Sequence, residues 1–375
     1  MRVAVVGAGP AGALLAWKLA SRGASVTVFD ASHPREKPCG GGLTAKALAL
    51  LPEAPADDPL PARRVDRCVF ESGQGERVDL DLTRPVAIAS RTDLDGWLLR
   101  RATAAGAVHA AERVVEVDGN GGLRTAERAG SYDVVVGADG AGSLVRRTFV
   151  GATPPARLTM AAGWFATGAS EMTVRFLPGL AGYLWLFPRL DHVGVGICAP
   201  LAAQPTRDLL ARLRREAARS FPALADEEAE TYAHTIPSPS TDAASLREIA
   251  GARWALVGDA AALADPITGE GIYYALRSAL VLADALESGG PERYPERALQ
   301  DFGHELLKAA SLHRRFYAEG FTRRMLSFAS RSAAIRTVLG DLVLGDQGYA
   351  GLKHRLLRST PRFAVQLAGS ALRRA

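Results

Sequence analysis

The chain has 375 residues, with 45 Lys and Arg against 40 Asp and Glu, a net charge of +5 and a sequence pI of about 9.3. Apolar residues make up 48% and charged residues 23%, globular proportions that exclude global disorder, and at roughly 150 residues per domain the length predicts two or three domains. Residues 311–375 hold twelve Arg and Lys but only three acids (Glu319, Asp341, Asp346), so the basic excess is confined to the C-terminal end and the body lacks the clustered charge of a nucleic-acid binder.

Arg2–Val6 is short, β-branched and apolar, the pattern of a buried parallel strand. Glycines follow, then Ala11–Ser21 with helical composition ended by Gly23, then Ser25–Phe29 as a second strand closed by Asp30. Together these read as a βαβ unit. Val3–Trp17 is uncharged and could pass for a signal-peptide core, but Gly7, Gly9, Pro10 and Gly12 interrupt it at a spacing with its own explanation. Pro52–Pro61 reads as a loop. Arg67–Glu71 and Arg77–Leu82 predict a hairpin, Asp93–Ala105 a helix, and Val108, Val114–Val117 and Tyr132–Val136 further strands. Strand then follows strand: Ala161–Ala166, Met172–Phe176, Gly182–Phe187 and Val193–Cys198. Arg207–Ser220 reads as a helix, Ile236–Ser240 as a Pro/Ser loop, Trp254–Val257 as a buried strand, and the rest as long helices.

The fold class is therefore α/β (α+β overall). A Rossmann-like domain is interrupted by a mostly antiparallel β-sheet domain and followed by a helical segment, because a lone late strand makes sense only if it rejoins the first sheet. The expected boundaries are 1–60, 88–155 and 250–310 for the first domain, 61–87 and 156–249 for the second, and 311–375 for the basic segment. No stretch reaches the ~20 apolar residues of a transmembrane helix.

Three motifs carry chemistry. In Gly7-Ala-Gly9-Pro-Ala11-Gly12, Gly7 permits a tight turn, Gly9 lets the backbone approach a pyrophosphate, and Gly12 allows close helix–strand packing. The helix start supplies N–H groups and a positive dipole end. Asp30 is placed to accept hydrogen bonds from a ribose. Val135-Val-Gly137-Ala-Asp139-Gly140 and Val257-Gly258-Asp259, the latter continuing to Gly269-Glu270-Gly271-Ile272, each end a strand in glycine and aspartate. Either alone could be an ordinary βα turn. Cys39, Cys68 and Cys198 are too few and too far apart for a disulfide scaffold, none forms a C-x-x-C pair, and the seven histidines show no metal spacing. That cysteine usage fits a reducing, cytoplasmic setting.

In this order the three motifs resemble FAD-dependent oxidoreductases of the p-hydroxybenzoate hydroxylase fold. Glu36-Lys37-Pro38-Cys39-Gly40-Gly41-Gly42 and Tyr183-Leu-Trp185-Leu-Phe187-Pro188, with Gly194-Val-Gly196 beyond, narrow the resemblance to the geranylgeranyl reductase family. The late Gly348-Tyr349-Ala-Gly-Leu352-Lys353 is similar to that family's C-terminal helical region. The resemblance implies non-covalent FAD held by Gly7, Gly9, Ala11, Gly12, Asp30, Cys39, Gly40, Gly42, Arg91, Val114, Asp259, Gly271 and Ile272. It implies a substrate pocket formed by Tyr183, Trp185, Phe187, Pro188, Gly194 and Gly196, and a catalytic role for Cys39 as donor thiol or as thiolate against the flavin, with no metal. On one strand the three aromatics share a face, and the bare faces of Gly194 and Gly196 are expected to leave room for a flat or elongated ligand. Five residues separate Pro188 from Gly194, a shorter hairpin than many family members have, which leaves cavity depth open.

The implied reaction is reduction of carbon–carbon double bonds in a prenyl chain on a lipid, a prenyl diphosphate or a prenylated quinone. The electron donor is left open between NAD(P)H and a ferredoxin-type protein. The basic C-terminal segment could meet anionic lipid at a membrane surface or simply be a solvated face. Three rivals share features: a flavin monooxygenase or halogenase, a dehydrogenase passing electrons to a quinone, and a flavin-fold scaffold without cofactor.

Overall fold

The computed structural model describes residues 1–226, 228–318 and 320–359. Two sheets organise it. The first has six strands in the order Ala250–Gly251, Trp254–Leu256, Val134–Gly137, Arg2–Val6, Ser25–Phe29 and Val108–Ala110. All of its pairings are parallel except the first. Val3, Ala4 and Val5 are fully buried, as a strand covered on both faces requires. The helix Pro10–Ala20 packs on this sheet between the helices Arg91–Ala104 and Ile272–Glu287. The late strand Trp254–Leu256 pairs with Val134–Gly137, so the chain returns to the first sheet after residues that build the second.

The second sheet has eight strands in the order Tyr232–Pro237, Leu158–Ala166, Val193–Pro200, Tyr183–Pro188, Met172–Phe176, Arg63–Ser72, Arg77–Ile88 and Gly42–Leu43. It is antiparallel except where Met172–Phe176 meets Arg63–Ser72. One of its faces is covered by the helix Thr206–Ser220, whose Leu209, Leu213 and Ala217 lie one turn apart and pack against Leu184, Leu186, Val195 and Ile197. The alternate residues Tyr183, Trp185 and Phe187 therefore face the other way. A small sheet, Val114–Val117 with Gly122–Thr125 and Ala129–Ser131, stands apart.

Two sequence expectations change. Ile236 and Pro237, read as part of a loop, end an edge strand that pairs with Leu158–Ala166. Proline is tolerated at such an edge because it has no ladder N–H to lose. The basic segment is not just a solvated face: Phe321–Ala329 and Ala333–Leu344 bury Leu326, Ala329, Ile335, Leu339 and Leu344 against Val78, Leu80 and Val86 of the second sheet. A further helix, Tyr349–Ser359, follows. Arg362, Arg373 and Arg374 lie outside the described residues. No helix among the described residues is long and apolar enough to cross a membrane.

Candidate active site

A cavity of about 780 Å³ lies between the sheets, and its two halves have opposite chemistry. One half is built from loops that follow strands of the first sheet. Gly7 adopts φ +105°, and a Cβ there would lie 2.4 Å from the Ala138 carbonyl oxygen. At Gly12 a Cβ would lie 1.9 Å from the Gly7 carbonyl, so Gly12 allows the packing without lining the cavity, whereas Gly7, Gly9 and Ala11 line it. The helices Arg91–Ala104 and Leu144–Phe149 have their first turns capped by the side chains of Ser90 and Ser143. Pro10–Ala20 and Ile272–Glu287 instead begin at Gly9 and Gly271, with no side-chain cap and no acid in the first turn. Two helix starts with bare N–H groups thus line one cavity, an arrangement suited to anionic and electron-rich groups.

Asp30 is 9% exposed and accepts from Ala8 N at 2.9 Å, Ser32 N at 2.9 Å and Ser32 Oγ at 2.7 Å. Burial pushes its carboxyl up, but these hydrogen bonds and Arg35 hold it below the ordinary value. Arg91 is 6% exposed and bonds Asp95 through Nε at 2.8 Å and Nη2 at 2.7 Å; burial opposes its charge and Asp95 preserves it. Lys37 Nζ lies 2.9 Å from Asp259 Oδ2, and although burial pushes Asp259 up, Lys37 holds it ionised. Val114, Gly271 and Ile272 also line this half.

The other half is apolar. Tyr183, Trp185 and Phe187 line it, but Pro188, Gly194 and Gly196 do not. Pro188 alternates onto the opposite face of its strand. A Cβ at Gly196 would lie 2.0 Å from the Trp185 ring, so the hollow expected to admit a ligand is filled by that indole. Gly194 faces the Phe187 and Cys39 carbonyls, each less than 4 Å from where its Cβ would lie. Cys68 and Cys198 belong to this wall, and burial pushes both thiols up to about 12, so they act as small neutral groups.

Sequence reasoning missed the rest of the wall. Phe316, Tyr317, Met325, Leu339, Leu342 and Tyr349 reach it from the C-terminal helices. Apart from Tyr349, which lies in the quoted Gly348–Lys353 element, their only signal was helical apolar spacing inside a segment dominated by arginine. Tyr317 donates to the Ile267 carbonyl at 2.7 Å and Tyr183 donates to that of Thr268. Burial keeps both hydroxyls protonated, so sheet and helix together grip the loop ahead of Gly271. His234 also lines the cavity, and burial, aided by Lys37, pushes it down to about 4, leaving the ring neutral.

Cys39, Gly40 and Gly42 occupy the seam between the halves. A Cβ at Gly40 would lie 2.6 Å from the Phe187 ring. Arg189, 1% exposed, fastens this turn: Nη1 bonds Glu36 Oε1 at 2.8 Å and Nη2 bonds the Cys39 carbonyl at 2.7 Å. Glu36 in turn accepts from the amides of Arg91 and Thr92, each at 3.2 Å. Arg189 was not singled out from the sequence, though it directly follows Pro188; Glu36 opens a motif that was, with no role given to it.

Bare helix starts, a glycine cradle and ionised Asp30 and Asp259 fit a flavin dinucleotide, and they define the class: an FAD-dependent oxidoreductase. Residues 1–316 match the family described as FAD binding domain. The chain is 30% identical over 386 residues to the menaquinone reductase of Mycolicibacterium smegmatis, covering 92% of each, and 29% identical over 329 residues to the geranylgeranyl diphosphate reductase of a Synechocystis strain, covering 80% of this chain and 78% of that one. A geranylgeranyl bacteriochlorophyll reductase-like structure from Thermoplasma acidophilum superposes with a TM-score of 0.73 at 20% identity, over 96% of this chain and 99% of that one. A flavin-dependent brominase shares the fold at a TM-score of 0.69 and 20% identity, over 92% and 94%. The chain belongs to the geranylgeranyl reductase family of FAD-dependent oxidoreductases.

Proposed function

We propose that the chain reduces carbon–carbon double bonds in the prenyl chain of a lipid, a prenyl diphosphate or a prenylated quinone. The observation that carries this reading is the wall chemistry. Among the described residues, the eight-stranded sheet and the C-terminal helices line the cavity without a single Asp, Glu, Lys or Arg, while every such lining residue comes from the cofactor half and the loops around it. A hydrocarbon chain matches such a wall, and water does not. The relatives named above bear the names of reductases of geranylgeranyl diphosphate and of menaquinone.

An isolated alkene has no carbonyl to polarise, so a hydride at one carbon must be matched by a proton at the other. Reduced FAD, when bound by the residues of the polar half, supplies the hydride equivalent. In this reading Cys39 delivers the proton. Its Sγ accepts from Gly41 N at 3.3 Å, a bond that does not consume the S–H, and the residue lines the seam between the halves. One hydride and one proton add two hydrogens and two electrons per double bond. Trp185 and Phe187 hold the chain against the seam. The electrons come from a separate donor, a reduced nicotinamide or a ferredoxin-type protein, and the basic C-terminal helices bring the enzyme to anionic membrane.

Anaerobic reduction of the FAD-loaded protein with candidate prenyl lipids, read by mass spectrometry, is expected to show a gain of two hydrogens per reduced bond. Cys39→Ser is expected to slow that gain by about tenfold or more, at unchanged FAD content. Product hydroxylated or halogenated only in the presence of oxygen, and indifferent to Cys39→Ser, would replace this reading with that of an oxygen-using relative.

A further inference from the structure

A lipid chain must reach the apolar half from outside, and one corner of the C-terminal helices is built for that passage. Phe321 begins the helix Phe321–Ala329 and is 38% exposed. Its ring centre lies 5.7 Å from that of Phe316, Phe316 lies 6.0 Å from Phe176, and Phe176 lies 5.9 Å from Phe70. Phe316, Phe176 and Phe70 line the cavity. A continuous run of aromatic rings thus leads from the surface to the chamber.

The same corner is cationic. Arg314 and Arg315 end the helix His304–Phe316 and Arg323 and Arg324 sit in the first turn of the next, while Arg331 follows that helix at its other end; all five are exposed. Arg323 bonds the Gln74 side chain at 3.3 Å, and no acid among the described residues pairs with any of the five. Glu319 is the single acid in the sequence between 311 and 340. The next two are already engaged, Asp341 by Arg355 and Asp346 by Arg84.

We propose that this corner docks on an anionic bilayer, with Phe321 in the headgroup–acyl boundary and the arginines on lipid phosphates, so that a prenyl chain passes along Phe316 into the cavity. Basic residues beside an exposed aromatic are the combination that holds a helix in that boundary. An acidic protein would satisfy the arginines but would leave the aromatic run without a purpose. The identity of the cargo rests on the prenyl-reductase reading; the docking does not.

The test is co-sedimentation of the FAD-loaded protein with vesicles of phosphatidylcholine alone and of phosphatidylcholine with phosphatidylglycerol. Binding is expected only to the second and is expected to fall with salt. Arg323→Glu with Arg324→Glu should weaken it by about tenfold or more. Phe321→Ala should weaken it severalfold without altering its salt dependence. The arginine double variant should reduce detergent-dispersed substrate at the wild-type rate. Equal binding to the two vesicles, wild-type binding by the double variant, or an acidic ferredoxin-type protein captured through these arginines in place of vesicles would each overturn the proposal. Vesicle binding without reduction in detergent removes the reductase reading and leaves the docking; reduction in detergent without vesicle binding does the reverse.

Discussion

The two halves of the cavity are made in opposite ways. The cofactor half comes from loops that follow strands of a parallel sheet, and each loop carries its own chemistry: two bare helix starts, an ionised Asp30, and Asp259 held by Lys37. The apolar half has no such local unit. It joins alternate residues of several strands to side chains from the C-terminal helices, far along the chain. Polar recognition therefore resides in short contiguous motifs, and apolar recognition in the way distant segments pack. Arg189 and Glu36 tie the two together at the Cys39 turn.

That seam is where the contrast breaks most severely. Arg189→Met strands the Glu36 carboxylate and frees the Cys39 carbonyl, so we expect a loss of about 3 kcal/mol in unfolding free energy, with both FAD and substrate binding impaired. Retention of either at the wild-type level would show that the halves are held independently.

Within the apolar half, Trp185→Ala removes a side chain that fills the space beside Gly196 and should cost about 3 kcal/mol. Prenyl binding should fall while FAD affinity stays level, as ligand titrations of both would show. Gly196→Ala sharpens the point without removing a wall: its Cβ displaces the indole and should also reduce prenyl binding selectively. Loss of FAD in either variant would erase the distinction between the halves.

On the polar side, Asp30→Ala is expected to weaken FAD binding by about 1.5–3 kcal/mol, the range for a hydrogen bond to a charged group. Prenyl binding to the FAD-loaded variant should be unchanged. Equal FAD affinity would show that Asp30 only organises the Ala8 and Ser32 amides.

A last effect is a pH dependence. His234 has its pKa pushed down to about 4 from the ordinary 6.5. Between those values the unfolded chain binds a proton that the folded protein refuses, so stability rises with pH across this window and falls on acidification through it. His234→Gln should flatten that part of a melting-temperature profile; an unchanged profile would mean that the ring is freely solvated.

The amino-acid sequence alone determined the cofactor half. A glycine three residues from another glycine, or an aspartate at a strand end, acts through backbone geometry within a few residues, and Gly7, Gly9, Ala11, Asp30, Asp259 and Gly271 all come to line one cavity. The alternation of Tyr183, Trp185 and Phe187 was legible for the same reason, since a strand's period is local. Only the tertiary structure decided what stands opposite those residues. Gly196 read as open space because its neighbour across the ladder is not written beside it; strand pairing places Trp185 there. Arginine dominated the reading of the C-terminal segment, yet its helices present Phe316, Met325 and Leu339 to the chamber. Burial depends on what packs against a residue: for Gly196 the partner is on the next strand of a hairpin, and for Leu339 it is Val78 and Leu80, far away in the chain.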